Sequence, residues 1–245
     1  MELAGRVALV TGGSRGIGAA IAKDMARAGA DVVLTYEQAG DRARSVVDEV
    51  EATGRRGLAI AADSADAAAV VGAVDRAAAG LGRLDILVNN AGIFPAGPFE
   101  EVTLAEVDRA LDIHARAAFL AAQAAVAHFR DGGRIISVGS NLAERAAFGG
   151  IALYTMSKAA LNGFTRALGR ELGPRGITVN LVQPGSTDTE MNPADGDHAG
   201  PQRALSALGR FASVDDLAAM VRFLAADTGR NITGAVFTVD GGTNA

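Results

Sequence analysis

The chain has 245 residues, 49% of them hydrophobic, with a net charge of −5 and no cysteine. That length and composition fit one large domain with a substantial core, and the acidic balance excludes the electrostatic footprint of a nucleic-acid binder. Disulfides and thiolate metal sites are excluded with the cysteines, and His114, His128 and His198 lack ligand spacing, so no metal site is expected.

The opening "MELAGRVALVTGG" lacks a basic region followed by a long apolar one. No uncharged apolar run approaches the ~20 residues that span a bilayer. A soluble cytoplasmic protein is the expectation.

In chain order, short apolar runs recur: "RVALVT", "DVVLT", "GLAIAAD", "LDILVNN", "RIISVGS", "ITVNLVQPG" and "AVFTVDGG". They are continuous rather than alternating, as strands buried on both faces are. Between them lie helical patterns, among them "IGAAIAKDMARAGA", "DRARSVVDEVEATG", "DAAAVVGAVDRAAAGLG" and "SVDDLAAMVRFLAADTG". Strands alternating with helices predict right-handed βαβ units. The expected fold is a single doubly wound α/β domain over residues 1–245, with about seven parallel strands and helices on both faces. Two segments, around 103–130 and 152–173, are apolar on nearly every face. A helix covering only its own sheet needs one apolar stripe, so these predict a homo-oligomer, a dimer or tetramer.

"VALVTGGSRGIGAAIA" reads strand, glycine-rich turn, helix, with Gly12, Gly16 and Gly18 spaced GxxxGxG. Absence of Cβ lets a diphosphate approach the backbone, and the helix start directs free N–H groups at it. A strand before and a helix after is the context of a dinucleotide site. The second strand ends in Tyr36-Glu37, and Arg15 sits inside the turn. Glu37 could accept from a ribose 2′-hydroxyl, or begin a solvated turn. Arg15 could pair with a 2′-phosphate, or stand idle. In "YTMSK", Tyr154 and Lys158 lie one helical turn apart on one face. A phenol beside an ammonium can be an acid or base, or an ordinary surface pair.

With "TGGSRGIG", "NNAG", "YTMSK" and "PG" (Pro184-Gly185) in this order, the chain resembles the short-chain dehydrogenase/reductase family. It looks most like the small single-domain branch that includes the 3-oxoacyl-[acyl carrier protein] reductases. The resemblance runs along essentially the whole chain. It implies a Rossmann sheet and a nicotinamide cofactor, held by Gly12, Ser14, Arg15, Gly16, Ile17, Gly18 and Tyr36 along the first two strands. It places Asp63 at the adenine, counts Ser64 among the cofactor-binding residues, and sets Asn90, Ala91 and Gly92 along the cleft wall. Thr187 and Thr189 fall at the nicotinamide carboxamide and phosphates, and Pro184 and Gly185 are also expected to bind the cofactor. The acid that marks NAD preference in this family would fall at Tyr36. Its absence, with Arg15, points to NADP(H), and NAD(H) stays possible.

The same resemblance assigns the chemistry. The nicotinamide supplies hydride and Tyr154 the proton. A phenol has pKa near ~10, and the expectation is that Lys158 as a cation lowers it while also binding the ribose hydroxyls. Ser140 would hold the substrate oxygen, since a hydroxyl both donates and accepts. Its alternative is a turn serine bonding its own backbone. Ser137, inside the strand, is the weaker candidate. Where the family usually carries asparagine, "LDIHARA" has His114. It could keep a water relay to Lys158 through its carbonyl alone, titrate into the relay as an imidazole of near-neutral pKa, or fill space.

Substrate contacts are expected from "IFPAGPF", "NLAERAAFGGIAL" and a loop over about 190–210, a candidate lid. Ile93, Phe94, Leu142, Phe148 and Met191 suggest an apolar pocket for an aliphatic or aromatic ketone. No basic cluster marks a carrier-protein phosphate, so a carbonyl reductase of broad type is preferred. The alternatives are an NAD-dependent secondary-alcohol or sugar dehydrogenase and a non-catalytic nucleotide-binding sensor.

Overall fold

The structure, a computed structural model, describes residues 1–245 and every side chain except that of Asp131. Seven parallel strands form one sheet: β1 (Val7–Val10), β2 (Asp31–Tyr36), β3 (Gly57–Ala61), β4 (Leu84–Asn89), β5 (Phe129–Val138), β6 (Thr178–Pro184) and β7 (Val236–Val239). Their order is β3-β2-β1-β4-β5-β6-β7. The chain therefore reverses direction across the sheet between β1 and β4, and a crevice opens beyond the C-terminal ends of those strands, where such sheets bind ligands.

The helices are α1 (Gly16–Arg27), α2 (Gly40–Glu51), α3 (Ala67–Leu81), α4 (Leu104–Leu111), α5 (Ala117–His128), α6 (Ala152–Leu172), α7 (Ala199–Leu205) and α8 (Val214–Ala225). Alternate residues of each strand feed opposite faces. Ala8 and Val10 of β1 pack with Ile21 and Met25 of α1 and Leu217 of α8. Val7 and Leu9 pack with Val74 of α3 and Ala121 of α5. Both faces are covered, which is why the strands read as unbroken apolar runs. Among the described residues no helix is long and apolar enough to cross a membrane.

Two boundaries differ from the sequence expectation. The apolar segment around 103–130 is not one helix: a π turn over Asp112–Arg116 separates α4 from α5, and residues 129 and 130 already belong to β5. One inserted residue breaks the 3.6-residue repeat, as π turns at functional sites do. The loop at about 190–210 holds α7, which composition rich in Gly, Pro and Asp concealed.

Candidate active site

The glycine turn leaves β1 and enters α1. A Cβ on Gly18 would stand 2.3 Å from the Gly12 carbonyl oxygen and 2.4 Å from Asn90 Nδ2. The turn and the strip after β4 are therefore pressed together, and Asn90 Nδ2 donates to the carbonyls of Thr11 (2.9 Å) and Gly12 (3.1 Å). Thr11 Oγ1 accepts from the N–H groups of Asn90 and Ala91 at 2.9 and 3.1 Å. Asn90 and Ala91 thus brace the cleft wall. Gly16 has φ of +53°, and a Cβ there would meet only the Thr189 side chain, at 3.5 Å. No side chain caps α1 at Arg15. A bare backbone turn with uncapped N–H groups is a fitting cradle for a diphosphate.

Beside it, Ser14, Ile17 and Tyr36 are partly buried and Arg15 is exposed. Glu37, exposed beyond β2, is 3.5 Å from Arg109 of α4, and the same guanidinium lies 4.0 Å from Asp63. Glu37 is therefore engaged by a cation, and Arg109, unsuspected from the sequence, bridges Glu37 and Asp63. Pro184 ends β6, and Gly185 packs so closely on Asp240 that a Cβ would fall 2.5 Å away. Thr187 is buried and donates to the Gly185 carbonyl at 3.1 Å.

Tyr154 and Lys158 both rise from α6 into the cleft. Lys158 is buried and donates from Nζ to the Val138 carbonyl at the end of β5, 3.0 Å away. Burial lowers its pKa from 10.5 to about 8. Phe94 covers Tyr154 edge-on, with ring centroids 4.6 Å apart. The expectation that Lys158 depresses the phenol is corrected. Burial pushes the Tyr154 phenol up, and only a hydrogen bond with Ser140 pulls the other way. Desolvation of a would-be phenolate outweighs the one hydrogen bond that favours it.

Ser140 is buried, and its Oγ accepts from the Leu142 N–H at 3.2 Å as the cap of a 3-10 turn over Asn141–Ala143. It is the turn serine that one reading expected, and it also hydrogen-bonds the Tyr154 phenol. Ser137 stays in β5, fully buried, within 3.5 Å of Asn89 Nδ2.

His114 occupies the π turn. Its Nε2 accepts from the Ile93 N–H at 3.0 Å, which leaves Nδ1 to donate to Ser157 Oγ at 2.8 Å. Ser157 in turn donates to the Tyr154 carbonyl at 2.8 Å. Burial first, then the charge of Lys158, lowers the imidazole pKa to about 3. The idea of a histidine titrating near neutrality is thus corrected. A cation there would lose the Ile93 bond and face Lys158: both Nε2 and Lys158 Nζ lie 3.3 Å from the point a Gly92 Cβ would occupy. Ser157 went unnoticed in the sequence, although its place between Tyr154 and Lys158 was a usable signal. A cavity of about 20 Å³ beneath Lys158 is lined by Thr11, Ser64, Asn89 and His114. It has room for about one water.

The substrate segments converge in part. The Gly97 N–H donates to the Gly150 carbonyl at 2.9 Å, joining the strip after "NNAG" to the one before Tyr154. Phe94, Phe148 and Met191 are all substantially exposed. Ile93 and Leu142 are partly buried.

The family model described as Enoyl-(Acyl carrier protein) reductase matches residues 12–244. A short chain dehydrogenase from Burkholderia cenocepacia J2315, solved in complex with NADP, is 57% identical, with a TM-score of 0.99 over 100% of both chains. The Cyclic-di-GMP-binding biofilm dispersal mediator protein of Escherichia coli K12 is 41% identical over 237 residues, 97% of this chain and 96% of that one. The Hydroxynaphthalene reductase-like protein Arp2 of Metarhizium brunneum is 40% identical over 256 residues, 99% of this chain and 96% of that one.

Proposed function

The chain belongs to the short-chain dehydrogenase/reductase family, and from that premise we propose that it is a carbonyl reductase of broad type, exchanging a ketone and its secondary alcohol with NADP(H). One observation carries the reading: Ser140 hydrogen-bonds the Tyr154 phenol, and Lys158, one helical turn further on, is anchored on the Val138 carbonyl two residues before Ser140. When bound, NADP(H) supplies or takes up the hydride. The NADP held by the Burkholderia relative supports that cofactor, as does Arg15 in the turn.

The chain's own groups do the rest. Gly16 and the uncapped start of α1 would hold the diphosphate. Ser140 orients the substrate oxygen against the phenol. Tyr154, kept protonated by burial, would donate its proton to that oxygen when the ketone is reduced. Lys158, a cation below pH of about 8, is placed to hold ribose hydroxyls. The cavity below it could pass a replacement proton through one water. His114 positions rather than titrates: its ring ties Ile93 in the cleft wall to Ser157 and so to the Tyr154 carbonyl. Phe94 over the phenol makes the substrate side apolar, and the name of the Metarhizium relative fits an aromatic ketone.

We also place a second copy of the chain on the outer face of α5 and α6. Phe119 there is 52% exposed, beside Phe164 at 5.7 Å between ring centroids. The two rings, with Arg116 and Ala160, line a shallow hollow of about 290 Å³. Phe119→Glu should shift the sedimentation coefficient to that of a smaller species.

A ketone and alcohol panel, run with NADPH, NADH and their oxidised forms and read by nicotinamide absorbance, tests the activity. Turnover of apolar ketones with NADPH is expected. No turnover with any pair would transfer support to the second reading, a nucleotide-binding sensor, which the name of the Escherichia coli relative favours.

A further inference from the structure

Beyond the glycine turn the rim of the cleft carries a charge arrangement that the reaction does not use. Arg15 is exposed, and among the described residues its guanidinium takes no hydrogen bond or ion pair. Arg42, in the first turn of α2, places its guanidinium on Glu190 Oε2, 148 residues further along the chain. Glu190 opens the loop that runs to about 210. The residue before it, Thr189, rests its methyl against Gly16. The hydrogen bond from Arg42 first, and the charges of Arg42 and Arg15 with it, hold the Glu190 carboxyl below the usual glutamate range.

The position matters as much as the pairing. β2 ends at Tyr36, and a Cβ on Gly40, at the start of α2, would lie 3.4 Å from the Tyr36 ring. The end of the second strand is where a dinucleotide's adenosine ribose is held. Arg42 in the first turn of α2, and Arg15, whose charge reaches Glu190, therefore lie toward the end of β2, the side on which a ribose 2′ group would be held. We propose that the Glu190 carboxylate stands in for the cofactor's 2′-phosphate on Arg42, with Arg15 left open beside it, so that NADP(H), and not NAD(H), releases the root of the loop. This inference rests on the reading that the chain uses NADP(H).

The exchange is energetically open. An exposed carboxylate–guanidinium pair holds weakly, whereas a phosphate brings more charge and three acceptor oxygens to the same donors. NAD(H) has no group that competes for Arg42 and leaves the pair intact. A ligand biases a loop only through contacts that differ between its two positions, and the 2′-phosphate is such a contact. The loop can respond as a unit. Asn192 and Gln202 bond each other in both directions, at 2.8 and 2.9 Å, and Ser186 Oγ donates to Gln202 at 2.6 Å. That clasp ties the segment after Glu190 to α7, so a shift at Glu190 is passed to Met191 and the substrate side.

The test measures dissociation constants of NADPH and NADH by cofactor fluorescence, which no tryptophan in the chain complicates, for the wild type, Arg42→Ala, Glu190→Gln and the double variant. Arg42→Ala should weaken NADPH about tenfold with NADH held within about twofold. Glu190→Gln should tighten NADPH about threefold, leave NADH unchanged, and do nothing once Arg42 is gone. Limited trypsin digestion at Arg203 gives the loop readout: NADPH, unlike NADH, should change the cleavage rate, and Glu190→Gln should show the changed rate without cofactor. Equal responses of the two cofactors to Glu190→Gln, or none, overturn the inference. A wild type that prefers NADPH but has an indifferent Glu190 overturns it alone, whereas equal wild-type affinities overturn it together with the cofactor reading.

Discussion

At the Tyr154 end of the cleft the ionisable groups are buried and burial has moved their titration; at the Arg15 end the charges are exposed, and Arg42 and Arg109 hold partners they can exchange. Lys158 sits near 8 and His114 near 3, and the phenol is displaced upward. Arg15, Arg42, Glu37 and Arg109 stay in water. Proton transfer needs a group whose protonation state is fixed by its surroundings, and only desolvation with committed hydrogen bonds does that. Cofactor choice needs a site that opens and closes to a charged ligand, and exposed ion pairs of about 0–1 kcal/mol allow it.

The sharpest break of the comparison is Tyr154→Phe. Turnover should fall by about a thousandfold or more, while the NADPH dissociation constant moves less than about twofold; surviving turnover would move the acid elsewhere. The pH dependence comes next. Since burial lowers Lys158 from 10.5 to about 8, its cation is present below that pH and lost above it. In the reductive direction kcat/KM should drop about tenfold per unit beyond pH of about 8, and a profile flat to pH of about 10 would dismiss the ammonium from the step. Stability moves oppositely. The unfolded chain binds the proton more tightly between about 8 and 10.5, so unfolding free energy gains about 1.4 kcal/mol per pH unit from this group across that window.

Arg15→Ala probes the exposed end. NADPH should weaken about tenfold, ~1.4 kcal/mol, and NADH hardly at all; equal losses would retract NADP(H). The mildest effect belongs to His114→Asn. Turnover should stay within about tenfold, and the shape of the profile between pH 5 and 8 should not change, because the imidazole is neutral throughout. Its signature lies in acid unfolding. With a folded pKa near 3 against 6.5 unfolded, wild type loses stability as pH falls through that window, and the asparagine variant escapes that part of the loss. A profile that shifts between pH 5 and 8 would return the imidazole to proton transfer.

Much of this molecule was legible along the chain. β1, β2, β4 and β6 announced themselves as unbroken apolar runs because both of their faces are covered, and Gly12 to Gly18 marked a strand-turn-helix in continuous sequence. Tyr154 and Lys158 declared a shared face by one turn of α6. Those signals are local, and the physics behind each acts within a few residues. Ser140 was half legible: the turn it caps is local, the phenol it meets is fourteen residues away in sequence.

The remainder required the folded chain. The π turn at Asp112–Arg116 goes with a ring at His114 that finds Ile93 and Ser157, neither of them a neighbour in sequence. The upward push on Tyr154 depends on how completely water is removed, and spacing cannot report that. Arg42 with Glu190 and Arg109 with Glu37 are joined across 148 and 72 residues. The sequence by itself determined the sheet, the glycine turn and the pairing of Tyr154 with Lys158 on one helix face, since periodicity and spacing are short-range. Tertiary structure alone decided the charge each group carries and which partner holds it, because desolvation and long-range pairing exist only once the chain has closed on itself.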